Sequence, residues 1–229
     1  GNGLIGSRFI EDYDSNDDYL IFASGVSNSL EKEESEFNRE EFLLSNILLK
    51  NKGKHLIYFS TIPDNNLNKK FYVQHKLNME FLIKKKSNQY TIIRLPQVIG
   101  FGGNSKNLFN YFLNEIRNGN KINVYRNTHK SLIDVDDVKK IVDHIISSNL
   151  FLNEIFEIDY IEKVEVIEIV NIISKILNIN PNVNFVDNEI INNFNRNEDL
   201  IKVLNKLNIN SVGYTERILN KYIIVWKKY

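Results

Sequence analysis

The strongest constraint on the fold is a regular alternation of short apolar runs and helix-like segments in the first half of the chain. Residues 18–24, 55–60 and 90–95 are apolar on both faces and rich in β-branched or aromatic side chains, as buried parallel strands are. Residues 37–51 and 72–86, which lie between these runs, carry apolar side chains at helical spacing. The order strand, helix, strand, helix, strand predicts an α/β fold with a parallel sheet.

After Gly100 the elements become more varied. We predict helices over 106–118, 134–148, 164–178, 197–208 and 213–228, and strands over 121–125, 154–158 and 183–186. The segment has neither an internal repeat nor a long linker, so we expect a smaller lobe packed on the sheet and not a second independent domain.

Composition excludes several classes of protein. The 229 residues carry 29 basic and 29 acidic side chains and a formal net charge of zero, so no basic field is present to attract nucleic acid. The sequence has no cysteine, which excludes disulfides, thiolate metal sites and thiol catalysis. No metal site is predicted. No apolar stretch of about 18 residues is present, and we expect a soluble, cytoplasmic protein.

Three glycines open the sequence, as Gly1-Asn2-Gly3-Leu4-Ile5-Gly6. This is the spacing of a dinucleotide-binding turn, in which the glycines permit a tight bend, close approach of a pyrophosphate and packing of the next helix. The strand that precedes such a turn lies outside the sequence given. Either the natural chain is longer or the motif is accidental, and the rest of the sequence favours a longer chain.

A threonine, a tyrosine and a lysine form a second candidate group. Thr61 follows the apolar run 55–60, and Tyr72 and Lys76 are four residues apart, which places them on one face of a helix. An ammonium beside a phenol lowers its pKa from about 10 and lets it exchange a proton near neutral pH. Such a pair also occurs on ordinary helices as surface and packing residues. We expect His75, between them, to be a surface histidine.

Taken in order, these motifs resemble the extended short-chain dehydrogenase/reductases, the NAD-dependent epimerase/dehydratase family that acts largely on sugar nucleotides. The resemblance covers nearly the whole chain. It comprises residues 1–6, 18–25, 46–49, 55–61, 72–76, 94–100, 132–138 and 213–226. It implies a Rossmann-like doubly wound parallel sheet with a small α/β C-terminal substrate lobe. The core is expected over 1–100, interleaved with 121–160, and the lobe over 101–120 and 161–229.

The resemblance also implies roles for individual residues. Tyr72 is the expected acid/base, Lys76 holds the nicotinamide ribose and lowers the pKa of Tyr72, and Thr61 binds the reacting oxygen. NAD or NADP is the expected cofactor. The residues expected to contact it are Gly1, Gly3, Leu4, Ile5 and Gly6 at the pyrophosphate, Ala23, Ser24 and Gly25 along the cofactor, Lys76 at the ribose, and Pro96 at the nicotinamide end.

Two departures from the family pattern shape the predicted function. About a dozen residues separate the glycine turn from the run at 18–24, where the family has two helices and two strands, so the sequence gives no basis for choosing between NAD and NADP. Thr61 is followed by Ile62-Pro63, where the family's dehydratases have an acidic pair, and dehydration is therefore discounted.

The leading hypothesis is an NAD(P)-dependent reductase of a keto group on a nucleotide-linked deoxysugar, similar to reductases of surface-polysaccharide pathways. A nucleotide-sugar epimerase would use the same three residues. The alternative of another class is a non-catalytic, nucleotide-binding or regulatory relative. Relatives usually dimerise through a four-helix bundle, and helices 37–51 and 72–86 are the candidates for a homodimer here.

Overall fold

A computed structural model describes residues 2–63, 70–102, 107–159, 161–187 and 197–226. The chain divides into two compact units. Unit 1 comprises Gly1–Leu95 and Val135–Ile158, and unit 2 comprises Pro96–Asp134 and Asp159–Tyr229.

The strands are β1 (Tyr19–Phe22), β2 (His55–Thr61), β3 (Tyr90–Leu95), β4 (Gln97–Ile99), β5 (Lys121–Tyr125), β6 (His129–Lys130), β7 (Leu132–Asp134), β8 (Glu154–Glu157), β9 (Val164–Glu165) and β10 (Asn182–Val186). The helices are α1 (Ile10–Tyr13), α2 (Glu34–Lys50), α3 (Lys70–Lys86), α4 (Leu108–Arg117), α5 (Val135–Ser147), α6 (Val166–Leu177), α7 (Glu198–Lys206) and α8 (Tyr214–Trp226). A single 3₁₀ turn, Gly6–Arg8, precedes α1.

Unit 1 is built on a parallel sheet. Its four strands lie in the order β1-β2-β3-β8, and every neighbouring pair is parallel. Parallel neighbours need a crossover connection, which α2 supplies between β1 and β2 and α3 supplies between β2 and β3. The sheet predicted from the apolar runs is therefore confirmed.

Both faces of this sheet are covered, because side chains alternate along each strand. On one face Leu56 and Tyr58 of β2 belong to a buried cluster with residues of α2 and α3, among them Leu44 and Met79. On the other face Phe59 packs against Phe9, the residue before α1, with 5.6 Å between the ring centroids, and the Lys139 ammonium of α5 lies 5.7 Å from the centre of the Phe9 ring. Helices on both faces of a parallel sheet make the fold doubly wound, as expected.

In its described residues, unit 2 contains three two-stranded sheets and four helices. β5 pairs with β10 and β4 with β7, both in parallel, and β6 pairs with β9 antiparallel. β5 corresponds to the predicted strand 121–125, which was assigned by sequence to the core and lies here in unit 2. The helices of this unit are α4, α6, α7 and α8.

A buried aspartate ties α8 to β7. Asp134 is 4% exposed and accepts a hydrogen bond of 2.5 Å from the Tyr222 hydroxyl. It also forms an ion pair with Lys221, in which Nζ and Oδ2 are 2.6 Å apart. At the other end of α8, the Glu162 carboxylate accepts hydrogen bonds from the backbone N–H groups of Gly213 and Thr215. Such capping satisfies donors that the first turn of a helix leaves without partners.

Across the described part of the chain, no helix is both long and apolar enough to cross a lipid bilayer. The predicted cytoplasmic location stays a prediction.

Candidate active site

The candidate site lies in unit 1, where β2 ends and α3 begins. Thr61 is the last residue of β2, and α3 starts at Lys70. The carboxyl ends of parallel strands and the start of the following helices form the edge at which open α/β sheets bind ligands.

Thr61, Tyr72 and Lys76 come together at this edge. The Thr61 hydroxyl is hydrogen-bonded to Tyr72, and the Lys76 ammonium lies 5.8 Å from the centre of the Tyr72 ring. Tyr72 and Lys76 are one turn apart on α3, so both side chains project from the same face. The structure thus brings a phenol, an ammonium and a hydroxyl into one cluster, in the arrangement that the spacing predicts.

A buried carboxylate that was not predicted joins this cluster. Glu40 of α2 has no exposed surface, and its Oε1 lies 2.9 Å from the ammonium of Lys76, which is 3% exposed. The Tyr58 hydroxyl donates to the same oxygen at 2.7 Å and lies 3.2 Å from the Lys76 ammonium. A charge with no access to water needs a partner and hydrogen bonds, and Lys76 and Glu40 each have both.

The second oxygen of Glu40 has donors of its own. The backbone N–H of Val26 donates to Oε2 at 2.7 Å, and the His75 Nε2 lies 3.0 Å from it. Since a carboxylate can only accept, Nε2 of His75 carries the proton in this bond. With Tyr58 and Lys76 on the first oxygen, four groups hold one carboxylate.

The prediction of a surface histidine is wrong. His75 is 7% exposed and its ring packs against Phe37, with 4.8 Å between centroids. The buried face of α3 is wide enough to include both residue 75 and residue 76, and the Glu40 carboxylate supplies the polar partner that an imidazole needs inside a protein.

These contacts set the charge states of the cluster. Burial by itself would raise the pKa of Glu40, but the hydrogen bond from His75 and the charge and hydrogen bond of Lys76 hold that pKa well below its usual value. Burial raises the pKa of Tyr72, Lys76 lowers it, Glu40 raises it and the bond with Thr61 lowers it, with a net rise. The lysine therefore acts in the expected direction on Tyr72, but the chain's own residues together keep the phenol protonated.

Gly25 leaves the space that the Lys76–Glu40 ion pair occupies. A Cβ at this position would stand 2.6 Å from the Lys76 ammonium and 2.7 Å from Glu40 Oε1. Contacts below 3.0 Å are repulsive, so any larger residue would displace the pair. Ala23 and Ser24, the other predicted cofactor residues of this loop, are half-buried, and the Ser24 carbonyl accepts a hydrogen bond from Arg39.

The glycine turn is only partly covered by the structure. Gly1 lies outside the described residues. A Cβ at Gly3 would meet no atom within 4 Å, and Gly6 begins the 3₁₀ turn. Within the described chain, the backbone N–H groups of Leu4, Ile5 and Gly6 donate no hydrogen bond. Pro96 is the first residue of unit 2 and is half-buried.

Sequence reasoning missed Glu40, although one signal was present. Glu40, Leu44 and Leu48 are the buried residues of α2, at a spacing of four. A carboxylate that continues an apolar stripe on a helix predicts a buried charge, and a buried charge needs an ionised partner.

Compared by sequence, the chain matches no protein-family model and no curated protein. Compared by structure, it is similar to a dTDP-4-dehydrorhamnose reductase from Bacillus anthracis crystallised with NADP. The TM-score is 0.70 at 18% identity, over 97% of this chain and 96% of the reductase. The chain therefore has the fold of this reductase.

Two further structures extend this similarity to other reactions on the same scaffold. A UDP-glucuronic acid 4-epimerase from Bacillus cereus, in complex with NAD, gives a TM-score of 0.71 at 13% identity, over 97% of this chain and 78% of the epimerase. A dTDP-glucose 4,6-dehydratase from Bacillus anthracis, also with NAD, gives 0.67 at 14% identity, over 99% and 77%. The fold of this chain is thus similar to that of a reductase, an epimerase and a dehydratase.

Proposed function

We propose that this protein is an NAD(P)-dependent reductase of a keto group on a nucleotide-linked deoxysugar. The observation that carries the proposal is the cluster of Thr61, Tyr72 and Lys76 at the end of β2, on a fold shared with enzymes of nucleotide-linked sugars. Unit 1 is the proposed cofactor-binding part, and unit 2 the proposed source of residues that recognise the sugar.

The donors of the cluster fit a dinucleotide. An ammonium has three N–H groups, and Lys76 uses two of them toward Glu40 and Tyr58, which leaves one for a ribose hydroxyl. The N–H groups of Leu4, Ile5 and Gly6 are available for a pyrophosphate. When bound, NADPH or NADH supplies the hydride.

Each residue of the cluster then has a defined part in reduction. The Thr61 hydroxyl hydrogen-bonds the keto oxygen and orients it beside Tyr72. Tyr72 donates its phenolic proton to that oxygen as negative charge develops there. Lys76, next to the phenol, stabilises the phenolate that is left.

The charge states favour reduction over the other reactions of this fold. A proton donor must hold its proton before the reaction, as a phenol with the ordinary pKa of about 10 does at neutral pH, and burial raises the pKa of Tyr72 further. An epimerase must first use the same residue as a base. Dehydration needs an acid and a base after the threonine, where this chain has Ile62-Pro63.

The test is consumption of NADPH or NADH with a panel of dTDP- and UDP-linked 4-keto sugars. Turnover is expected for the wild-type protein, and Tyr72→Phe is expected to lower kcat by about 10²–10⁴-fold, the usual contribution of a general acid. Tyr19→Phe, at the opposite end of the strands, is the matched control and should retain full turnover. Full activity of Tyr72→Phe would refute the assigned role, and interconversion of 4-epimers without net reduction would identify an epimerase.

We also propose a homodimer formed by α2 and α3. Large apolar side chains are exposed on both helices: Phe42 at 69% and Leu49 at 63% on α2, and Phe81 at 68% on α3. Phe42 and Leu49 are seven residues apart and share a face, so a second copy of the two helices would bury this surface in a four-helix bundle. Light scattering should show a dimer, and Phe42→Glu combined with Phe81→Glu should give a monomer. A monomeric wild-type protein would contradict the proposal.

A further inference from the structure

The Glu40 carboxylate has a place in the reaction that none of the predicted residues fills. It is fully buried, it accepts four hydrogen bonds, and one of them comes from the ammonium beside the proposed acid. Removing two ions from water is costly, so a helix packed for stability alone would be served as well by an apolar residue at this position. A carboxylate there has a consequence for Lys76 that an apolar residue would not have.

Hydrogen bonds hold the Lys76 ammonium in one position, although the lysine side chain is long and flexible by itself. Nζ is bonded to Glu40 Oε1 at 2.9 Å and to the Tyr58 hydroxyl at 3.2 Å, while Tyr58 is bonded to the same carboxylate oxygen at 2.7 Å. The three groups form a closed triangle of hydrogen bonds. Gly25 borders it on the side where a Cβ would collide with both Nζ and Oε1.

The same contacts determine the charge that Tyr72 experiences. The ammonium carries one positive charge and the carboxylate one negative charge, both buried and in contact, so their fields partly cancel at the phenol. Other titratable or hydroxyl groups also face the cluster from each element packed around it. They are Tyr58 and Thr61 on β2 and His75 and Glu80 on α3, while Glu40 itself is the group that α2 contributes.

We propose that Glu40 is a positioning residue: its buried carboxylate holds the Lys76 ammonium between Tyr58 and Tyr72 and balances the charge of that ammonium beside Tyr72, the proposed proton donor. This inference rests on the proposed function of Tyr72 as a proton donor and adds the residue whose charge helps to keep that donor protonated. Glu40 acts through Lys76 and does not itself contact the reacting atoms.

The test is the pH profile of kcat/KM in Glu40→Gln. Glutamine keeps the size of the side chain and removes the negative charge. Without that charge, Tyr72 should lose its proton more easily, because the negative charge of Glu40 raises the pKa of Tyr72 in the wild-type protein. The alkaline limb of the profile should therefore move to lower pH, because a like charge close to the Tyr72 phenolate has been removed.

Glu80→Gln provides the matched control. Like Glu40, Glu80 is a buried carboxylate, but it lies on α3 and is 3% exposed. Arg94 donates two hydrogen bonds to it, of 2.9 and 2.8 Å, and Ser60 donates a third, of 2.6 Å. Its loss removes a buried ion pair without touching Lys76. The expected result is a loss of stability with an unchanged alkaline limb. An unchanged limb in Glu40→Gln, or an equal shift in both variants, would overturn the proposal.

A second readout needs neither substrate nor cofactor. Carbon-13 labels on tyrosine Cζ and lysine Cε report proton loss by NMR, and the signals of the pair are assigned by their disappearance in Tyr72→Phe and Lys76→Met. Tyr72 should lose its proton at lower pH in folded Glu40→Gln than in the wild-type protein, and identical Tyr72 titrations would refute the role of Glu40. A wild-type protein that turns over no keto sugar but shows the shift would refute the proposed function and leave the electrostatic role of Glu40 standing.

Discussion

At the scale of single residues, the molecule depends on one buried ion pair and the glycine that makes room for it. Lys76 and Glu40 are separated by 36 positions in the sequence, on two different helices, and they meet only because Gly25 has no side chain. Gly25, Glu40 and Lys76 thus depend on one another, because the ion pair needs both charged residues and the space that the glycine leaves. Their substitutions should therefore be strongly non-additive.

Gly25→Ala should displace the ion pair. The added Cβ would stand 2.6 Å from Nζ and 2.7 Å from Oε1, and the expected cost is about 1–3 kcal/mol of unfolding free energy, as for other overpacked sites. Gly53→Ala is the control, because a Cβ there would meet nothing within 4 Å, and its effect should stay within about 0.5 kcal/mol. Denaturant unfolding measures both, and equal stability of the two variants would contradict this assignment for Gly25.

The stability of unit 1 should fall on acidification because of Glu40. Its pKa is lower in the folded than in the unfolded protein, so its stabilising effect is present above the ordinary value of 4.5 and is lost as the pH falls toward the folded value. In Glu40→Gln this part of the pH dependence should disappear, and the variant should be less stable at neutral pH by about 3–5 kcal/mol, as when one partner of a buried pair is removed. Unfolding curves at several pH values measure both effects, and parallel curves for the two proteins would contradict them.

At the scale of elements, the sequence predicts long periodic segments well and short ones poorly. Strands 55–60 and 90–95 and helix 72–86 are confirmed almost to the residue as β2, β3 and α3, because each has a continuous apolar pattern. β6 and β9 have two residues each and no pattern, so only the tertiary structure defines them.

The same reasoning explains which part of the candidate site could be predicted. Tyr72 and Lys76 are four apart on one helix, and that local spacing is visible in the sequence. Glu40 and Tyr58 come from other elements, and their distances to Lys76 follow from how α2 and α3 pack on the sheet. Such long-range contacts are only weakly indicated by the local sequence. Here the one indication is that Glu40 continues the apolar stripe of α2.

An element-scale prediction concerns the anchoring of α8. Tyr222→Phe removes the donor to Asp134 Oδ1, whose carboxylate is buried and keeps its ion pair with Lys221. The expected loss is about 1–3 kcal/mol, the cost of leaving a buried acceptor with one partner fewer. Tyr125→Phe, at a position 51% exposed, should change stability by less than about 0.5 kcal/mol. Thermal unfolding compares the two, and equal melting temperatures would contradict the role given to Tyr222.

At the scale of the whole molecule, the chain combines the fold of known enzymes with a short connection between its glycine turn and its first strand. Between Gly6 and β1 it has one 3₁₀ turn and the four-residue helix α1, yet over 97% of its length it follows the reductase fold with a TM-score of 0.70. The sheet, its covering helices and the Thr61–Tyr72–Lys76 cluster are present together. The account therefore predicts that this short connection permits dinucleotide binding.

Calorimetric titration of the purified protein with NADPH and with NADH tests this central claim most directly. The account predicts that at least one of them binds, that Tyr72→Phe binds it with an affinity within about twofold of the wild type, and that Lys76→Met binds it more weakly by about 1–3 kcal/mol, the cost of a lost charged hydrogen bond. Absence of binding by both dinucleotides would contradict the account and leave a chain that has the fold of these enzymes without their chemistry.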